Sequence, residues 1–159
     1  MKKLLFISAL LVVLPLTQAS GEECLYNLLG QGWGFNDGEE VGNHWGVVGL
    51  LAELQPENPP VDFDFDSYEV SFAILDMEIV SVTPGTESKL FELGGGTVAL
   101  YEDTSFNYDP GTDPATGIAT STDGVLALLG EIEHASLYVN YAMEIGTFLA
   151  EFAWTGGSY

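Results

Sequence analysis

Acidic side chains in the stretch YEDTSFNYDPGTDPATGIATSTDG, residues 101–124, are the first candidates for chemistry. Carboxylate and carbonyl oxygens are the hard ligands that Ca²⁺ takes in proteins. The spacing does not match an EF-hand, which needs alternating acidic residues, a central glycine and a closing glutamate. Asp beside Pro or Gly is also ordinary turn chemistry, so a solvated connection between two strands is the alternative. The candidate calcium ligands are Glu102, Asp103, Asp109, Asp113 and Asp123.

A second acidic run, DFDFD, occupies residues 62–66. On an extended strand, Asp62, Asp64 and Asp66 would share one face and the two phenylalanines the other. A cation would relieve the repulsion between the three carboxylates. The alternative is an edge strand whose charged face discourages edge-to-edge aggregation.

An aromatic residue suggests a different kind of site. Trp33 lies in the glycine-rich segment GQGWGF, where an exposed ring could stack on a sugar. Trp45 and Trp154 lie in apolar segments, which favours positions in the core. Trp33 is therefore the candidate binding residue for a carbohydrate.

Patterns that would indicate catalysis are weak. His44 and His134 are the two histidines, and neither has metal-ligand spacing to other candidate ligands. The chain has no G-x-S-x-G motif. Because the chain has 24 acidic residues, a pair of carboxylates as in glycosidases has no diagnostic value. The sequence predicts a protein that is not an enzyme, with Ca²⁺ as the one candidate cofactor.

The N-terminus has the pattern of a secretory signal. A basic MKK precedes the apolar run LLFISALLVVLPL, and TQAS provides small residues for cleavage after Ala19. The apolar run is shorter than the roughly 20 residues of a membrane-spanning helix, which disfavours a retained anchor. We therefore expect residues 1–19 to be removed and the protein to be secreted or held at the cell surface, with the periplasm as a further option. Cys24 is the sole cysteine, so it is either buried or paired with another chain.

The charge of the chain excludes two classes of partner. The formal net charge is −21, and it becomes −23 when Lys2 and Lys3 leave with the signal. Binding to nucleic acid needs Lys and Arg to displace counterions, and anionic membrane surfaces repel an acidic protein. A saline habitat, bound divalent cations and solubility at a surface are three explanations for this charge. The remaining partners are other copies of the chain and components of the cell surface or matrix.

Strand patterns dominate the rest of the chain. Residues 20–43 are rich in glycine, and we expect them to be an irregular lead-in to a domain over 44–159. Period-two alternation in SYEVSFAIL predicts a half-buried strand, and a phase slip at Leu75 and Asp76 predicts a bulge or tight turn. KLFEL, GGG and TVALYED together predict a hairpin.

Three more apolar runs follow the acidic stretch. VLALLGEIE, SLYVNYAME and TFLAEFAW, joined by the short links HA and IG, predict antiparallel strands. A helix over the first two runs is the alternative. With no convincing helix elsewhere, the fold class is all-β, as an antiparallel β-sandwich or jelly roll of about seven to nine strands.

One segment resembles a known type of sequence. SFNYDPGTDPATGIATSTDG, residues 105–124, is similar to a stretch in uncharacterised exported bacterial proteins that combine an aromatic SF-YDP strand with a Thr-Gly turn and a second short strand. The resemblance implies an exported, β-rich protein and a short hairpin of SFNYD with GIATS. It carries no catalytic residues. The chain departs from the pattern at Tyr159, where it has no apolar tail with a basic end.

Together these features predict an exported, non-catalytic surface or extracellular protein of structural or adhesion type. One alternative is a small module that binds calcium or carbohydrate. A further alternative is a small outer-membrane β-barrel, because the length and the alternating strands permit eight strands of about ten residues.

Overall fold

The computed structural model describes residues 5–13, 26–55, 63–109 and 113–158. Within these residues the chain forms eight strands and one short helix. The elements are β1 (Leu5–Val13), β2 (Tyr26–Asn36), β3 (His44–Gln55), β4 (Glu69–Pro84), β5 (Ser88–Gly94), β6 (Thr97–Asp103), α1 (Pro114–Ser121), β7 (Val125–Asn140) and β8 (Ile145–Gly157). None of the helices among the described residues is long and apolar enough to cross a membrane.

The strands form one hydrogen-bonded sheet whose pairings make a closed circuit. The order runs β1, β2, β3, β4, β5, β7 and β8, and β8 pairs again with β1. β6 continues the line of β5, and both lie between β4 and β7. Among the described strands, every pairing is antiparallel except the one between β1 and β8, which is parallel. The prediction of an all-β fold with seven to nine strands is confirmed. The described strands form one sheet, and the sandwich or jelly roll stays a prediction.

The core lies inside this closed sheet, because successive side chains of a strand point to opposite faces. In β4 the core side chains are those at alternate positions, and β8 repeats the pattern. Side chains that are at most 1% exposed include Val70, Phe72, Ile74, Phe148, Ala150 and Phe152. Trp154 packs against them from a partly buried position. The buried set therefore follows the alternation of the sequence.

The predicted irregularity at Leu75 and Asp76 is a β-bulge. These two residues lie opposite the single residue Gly46 of β3, since Trp45 pairs with Met77 and the next paired residues are Val47 and Ile74. Asp76 has a φ of 60°, in the left-handed region, which a bulge residue often adopts. The bulge shifts the buried positions from even to odd numbers, so Met77 and Ile79 continue the core face.

Replacing Asp76 by glycine should stabilise the fold. A left-handed backbone costs most L-residues about 1–2 kcal/mol, and aspartate somewhat less, whereas glycine adopts it freely. We expect Asp76→Gly to raise the free energy of unfolding by about 0.5–1 kcal/mol, measured by urea denaturation. The matched control is Glu78→Gly, two residues along the same strand and also exposed. At that position glycine should destabilise the strand, and a loss of stability at both positions would contradict the bulge geometry.

The glycine-rich lead-in departs from the prediction of irregular structure, because residues 26–36 form β2. Strand formation there depends on the neighbours on both edges, β1 and β3. Gly32 lies directly opposite Gly49, and a Cβ at Gly32 would sit 2.2 Å from the carbonyl oxygen of Val48. Glycine is poor in strands by propensity, yet here it allows two backbones to approach closely. The sheet therefore includes residues 26–36, which precede residue 44, the predicted start of the domain.

The predicted hairpin over residues 89–103 is wrong. β5 and β6 both run antiparallel to β4, so they run in the same direction and do not pair with each other. Gly95 and Gly96 have φ values of 66° and 93°, and the chain passes through them from β5 into β6 without reversing. The Ile132 N–H donates to the Gly96 carbonyl at 3.0 Å, which attaches this link to β7.

The two runs predicted as separate strands before and after the HA link form one continuous strand, β7. The link corresponds to a shift of register against β8 between Ile132 and His134. The reversal comes later, in a turn at residues 141–144 where Glu144 has a φ of 54°. The alternative of a helix over this region is excluded by the strand structure.

Part of the predicted secretory signal forms β1, which lies between β2 and β8. Residues 1–4 and 14–19 lie outside the described residues, as does Cys24. Cleavage after Ala19 stays a prediction.

Candidate functional site

The long connection between β6 and β7 folds back over the outer face of β3 and β4. The Tyr108 hydroxyl donates to the carbonyl oxygen of Val48 in β3 at 3.2 Å. The Tyr108 backbone N–H donates to Oε1 of Glu69 in β4 at 2.9 Å. These two bonds attach the middle of the connection to two neighbouring strands.

The second half of the connection is helix α1, which begins at an aspartate cap. Asp113 has extended backbone, and its side chain accepts from the Thr116 N–H and hydroxyl at 3.1 and 3.0 Å. Pro114 follows in the first turn, where its missing N–H costs nothing. Hydrogen bonds from Thr116 lower the pKa of Asp113, since they favour the carboxylate. Local capping therefore starts a helix in a segment of poor helix formers.

Small residues allow α1 to lie close to the sheet. Gly117 and Ser121 are buried, and the Ser71 hydroxyl of β4 donates to the Ser121 carbonyl at 2.7 Å. Ser71 and Ala73 are the outward residues of β4 at this level, and both are at most 2% exposed. The expectation of no helix is therefore wrong for this segment. The hairpin of SFNYD with GIATS is also wrong, because residues 114–121 are helical.

A cleft of about 370 Å³ opens beside this connection. It is lined by Gln31, Gly32, Trp33, Leu50, Leu51, Ala52 and Tyr108. Trp33 is half-buried and lies on β2, whereas Tyr108 comes from the connection. Volumes of about 300–1,000 Å³ with mostly apolar walls are typical of small-molecule sites. The structure thus places the predicted binding residue Trp33 in a concave site and adds Tyr108, which sequence reasoning missed.

The electrostatics around the cleft disfavour negative charge. Burial, with the charges of Asp109 and Glu69, raises the pKa of Tyr108 to about 12. The pKa of Glu69 is also raised, mainly by burial and then by the charges of Asp103 and Asp123, against the hydrogen bonds from the connection. Both shifts come first from burial, and they favour the neutral forms of the Tyr108 hydroxyl and the Glu69 carboxyl.

The predicted calcium ligands divide into two groups. The two ends of the connection meet, because Glu102 pairs with Val125 and Gly124 lies against the Glu102 backbone. Asp103 accepts from the Ser105 N–H at 2.9 Å, and Asp123 accepts from the Asn107 amide at 3.0 Å.

The other two predicted ligands lie elsewhere on the connection. The Asp109 backbone bonds to the Thr120 hydroxyl, and Asp113 caps α1. Within the described residues, no three His, Cys, Asp or Glu side chains are grouped so that they could hold a metal ion. Calcium binding stays a prediction, and the comparison of melting temperatures in millimolar Ca²⁺ and in chelator tests it.

Glu69→Gln should stabilise the fold at neutral pH, because the amide carries no charge and its oxygen can still accept from Tyr108. The folded pKa of Glu69 lies above its ordinary value of 4.5, so the carboxylate destabilises the folded state above that folded pKa. This penalty disappears as the pH falls and the group is protonated in both states. We expect a small rise in melting temperature at pH 7 that vanishes near pH 4. The control is the exposed Glu131→Gln, and a rise independent of pH would contradict the assignment.

The run DFDFD does not form the predicted edge strand over its described part, residues 63–66. Oδ1 of Asp64 accepts from the backbone N–H groups of Asp66 and Ser67 at 3.1 and 3.2 Å, which makes a turn. Hydrogen bonds from Ser67 lower the pKa of Asp64. Phe63 is buried in the core, so the aromatic residues anchor the turn. Asp62 lies outside the described residues.

The two histidines lie at separate places on the sheet. His44 Nδ1 is 3.5 Å from Oδ2 of Asp37, and His134 Nε2 is 3.1 Å from Oε2 of Glu92. Both imidazoles are more than half exposed. Each pair joins adjacent structural elements. The recorded side-chain partner of each imidazole is a carboxylate, Asp37 for His44 and Glu92 for His134, and not a hydroxyl or a thiol.

The lysine of the described residues, Lys89, joins two loops at the opposite end of the sheet. Its Nζ lies 2.6 Å from Oε2 of Glu39 and 5.9 Å from the centre of the Tyr141 ring. Burial and the Glu39 carboxylate raise the pKa of Tyr141 far above its ordinary value. This positive charge is therefore held by neighbouring groups of the protein.

Comparison with known proteins provides no relative for this chain: no family model matches it, and neither a curated protein nor a solved structure does.

Proposed function

We propose that this chain is an exported, non-catalytic protein of the cell surface or extracellular space that works by assembly or adhesion. The proposal rests first on the secretory pattern of residues 1–19 and on the charge of −23 that remains after it. Several acidic side chains that could have served in catalysis have structural tasks. Asp64 and Asp103 organise turns, and Asp113 caps a helix.

The observation that carries the proposal is an apolar patch on the outer face of β7 and β8, formed by Tyr138, Ile145 and Leu149. Tyr138 pairs with Thr147, so Ile145 and Leu149 lie diagonally on either side of it. Side chains at such diagonal positions are within reach of one another. The three residues are 44%, 41% and 39% exposed, respectively. Clustered exposed apolar side chains favour an interaction surface, whereas isolated ones are ordinary.

The test is self-association of the exported protein as a function of salt. At low salt the net charge keeps copies apart, and at high salt the repulsion is screened within a few ångströms. We expect sedimentation velocity to show oligomers at high salt that Tyr138→Ser and Leu149→Ser remove. The matched control is Val80→Ser, on β4, where the side chain is 53% exposed. A monomer at every salt concentration would exclude assembly through this patch.

A second candidate function, a small carbohydrate-binding module, is supported by the cleft of Trp33 and Tyr108. Aromatic faces beside a polar group such as Gln31 suit a neutral sugar ring. Titration of oligosaccharides with tryptophan fluorescence should give a saturable change that Trp33→Ala abolishes. Trp154→Phe is the control, because Trp154 packs on Phe152 at 4.6 Å and outside the cleft lining. No saturable change with any neutral oligosaccharide would exclude this candidate.

A further inference from the structure

The strand β1 is part of the predicted secretory signal, yet it fills a place in the sheet. Its residues pair with β2 on one edge and with β8 on the other. Ala9 is the partner of both Gly30 and Phe148. Removal of residues 1–19 would therefore leave the facing edges of β2 and β8 without their common neighbour.

We propose that cleavage of the signal allows β2 and β8 to pair directly, so that the mature chain has a different closed sheet from the precursor. The inference rests on the export part of the proposed function. β1 is antiparallel to β2 and parallel to β8, so β2 and β8 are already antiparallel to each other. Their direct pairing would replace the one parallel seam among the described strands by an antiparallel one, which is slightly more stable per residue.

The register of the new pair follows from the present pairing, in which each paired residue of β1 has one partner in β2 and one in β8. We expect these two partners to face each other once β1 is removed. Ala9 connects Gly30 with Phe148, and Ile7 connects Gly32 with Gly146. These four positions of β2 and β8 are all buried. A register that keeps these partners opposite each other therefore places inward residues opposite inward residues. It also places the exposed Gln31 opposite the exposed Thr147. A slip by one residue would bring buried positions opposite exposed ones, and the register is therefore strongly specified.

Closure within one chain is favoured over pairing with a second copy. Strands in a sheet lie about 4.8 Å apart, so β2 and β8 are separated by about 10 Å and must approach by about 5 Å. Both strands remain attached to the sheet through β3 and β7. Pairing with another copy would instead lose translational and rotational freedom and would bring two highly acidic surfaces together.

The test uses disulfide trapping in the protein that is expressed from the full-length sequence and exported. Cys24→Ser removes the natural thiol. Gln31→Cys and Thr147→Cys form the reporter pair. Across β1 their Cα atoms are about 10 Å apart, beyond the limit of about 7 Å for a disulfide. After direct pairing they come within range. Ala19→Arg blocks the small-residue cleavage site and provides the matched protein that keeps β1.

Two further pairs serve as controls. Tyr138→Cys with Thr147→Cys joins residues that are already partners across β7 and β8, so this disulfide should form in both proteins. Gln31→Cys with Leu149→Cys reports a register that is shifted by two residues. Mass spectrometry of the N-terminus shows which form is present.

We expect the Gln31–Thr147 disulfide to form nearly completely in the cleaved chain and to be absent from the protein that keeps β1. Its absence from a cleaved chain that forms the Tyr138–Thr147 control would overturn the inference, and so would preferential trapping of the Gln31–Leu149 pair. Formation in the uncleaved protein would also overturn it. A chain that stays inside the cell and retains residues 1–19 would contradict both this inference and the export proposal, whereas a cleaved, exported chain without the reporter disulfide contradicts the inference alone.

Discussion

Replacing Gly49 by alanine is expected to destabilise the folded chain by about 3 kcal/mol, near the upper end of what overpacking costs. Gly49 lies on β3 opposite Gly32 of β2 and beside Phe72 of β4. An added Cβ would sit 2.2 Å from the carbonyl oxygen of Gln31 and 2.6 Å from the Cα of Gly32. Both contacts are with backbone, so relief requires β2 and β3 to move apart.

The size of this effect follows from what surrounds the contact. Separating β2 from β3 weakens the ladder on both sides of Gly49 and disturbs the packing of Phe72, whose ring would lie 2.7 Å from the new methyl group. Close-packed interiors transmit such strain because few voids can absorb it. A loss of about 3 kcal/mol is a large fraction of the 5–15 kcal/mol of stability that is usual for a domain.

Urea denaturation provides the measurement for the Gly49 prediction. The midpoint should fall while the slope stays unchanged, since the surface exposed on unfolding is the same. The matched control is Gly156→Ala on β8, where an added Cβ has open space within 4 Å and stability should change by less than about 0.5 kcal/mol. Equal stability of the two variants would mean that β2 and β3 do not approach as closely as described.

Phe72→Ala is expected to cost about 3–5 kcal/mol, which is the usual range for removing a buried phenylalanine side chain. The ring is 0% exposed and lies among the largest fully buried side chains. It lies against the positions where Gly30 and Gly49 lack a Cβ, so no neighbouring side chain there can extend to refill the space. The cavity should therefore persist, and the cost should lie toward the upper part of the range.

The matched control for Phe72 is Phe106→Ala, the same chemical change at a side chain that is 55% exposed. Surface changes of this kind usually stay within about 0.5 kcal/mol. Equal losses for the two variants would show that Phe72 does not lie at the centre of the core.

The two large effects should not be additive. In the double variant Gly49→Ala with Phe72→Ala, the new methyl group no longer meets the ring, although its contact with the Gln31 oxygen remains. The total loss should therefore be smaller than the sum of the single losses. Coupling between contacting residues typically amounts to about 0.5–3 kcal/mol in such cycles.

Helix α1 shows how a local signal can be present and still be outweighed by composition. The sequence contains two signals for the start of this helix: Asp113 is the N-cap residue, and Pro114 lies in the first turn. The eight residues of the helix include Gly, Ser and Thr and have no apolar stripe, so their pattern resembles a loop. The helix is stable where it lies because Ser71 and Ala73 of β4 are small and leave room for it. The sequence of the helix segment carries no information about these two residues.

The failure of the predicted hairpin has a similar cause. A glycine run between two apolar segments is the usual signature of a reversal, and Gly95 and Gly96 do adopt left-handed backbone. The chain nevertheless continues in the same direction, because β4 and β7 provide partners on both sides for β5 and β6 in succession. Whether a glycine turn reverses the chain depends on which neighbours are available.

The sequence by itself determined the all-β class, the alternating core of β4, and an irregularity at Leu75 and Asp76, because these depend on a period of two that each strand carries locally. Its charge likewise predicts that nucleic acid and anionic membrane surfaces are disfavoured as partners. Only the tertiary structure decided that β2 forms despite its glycines, that the circuit of strands closes, and that Tyr108 comes to lie beside Trp33. Those outcomes depend on close approach between segments far apart in the chain, and the space between backbones becomes defined only when the strands pair.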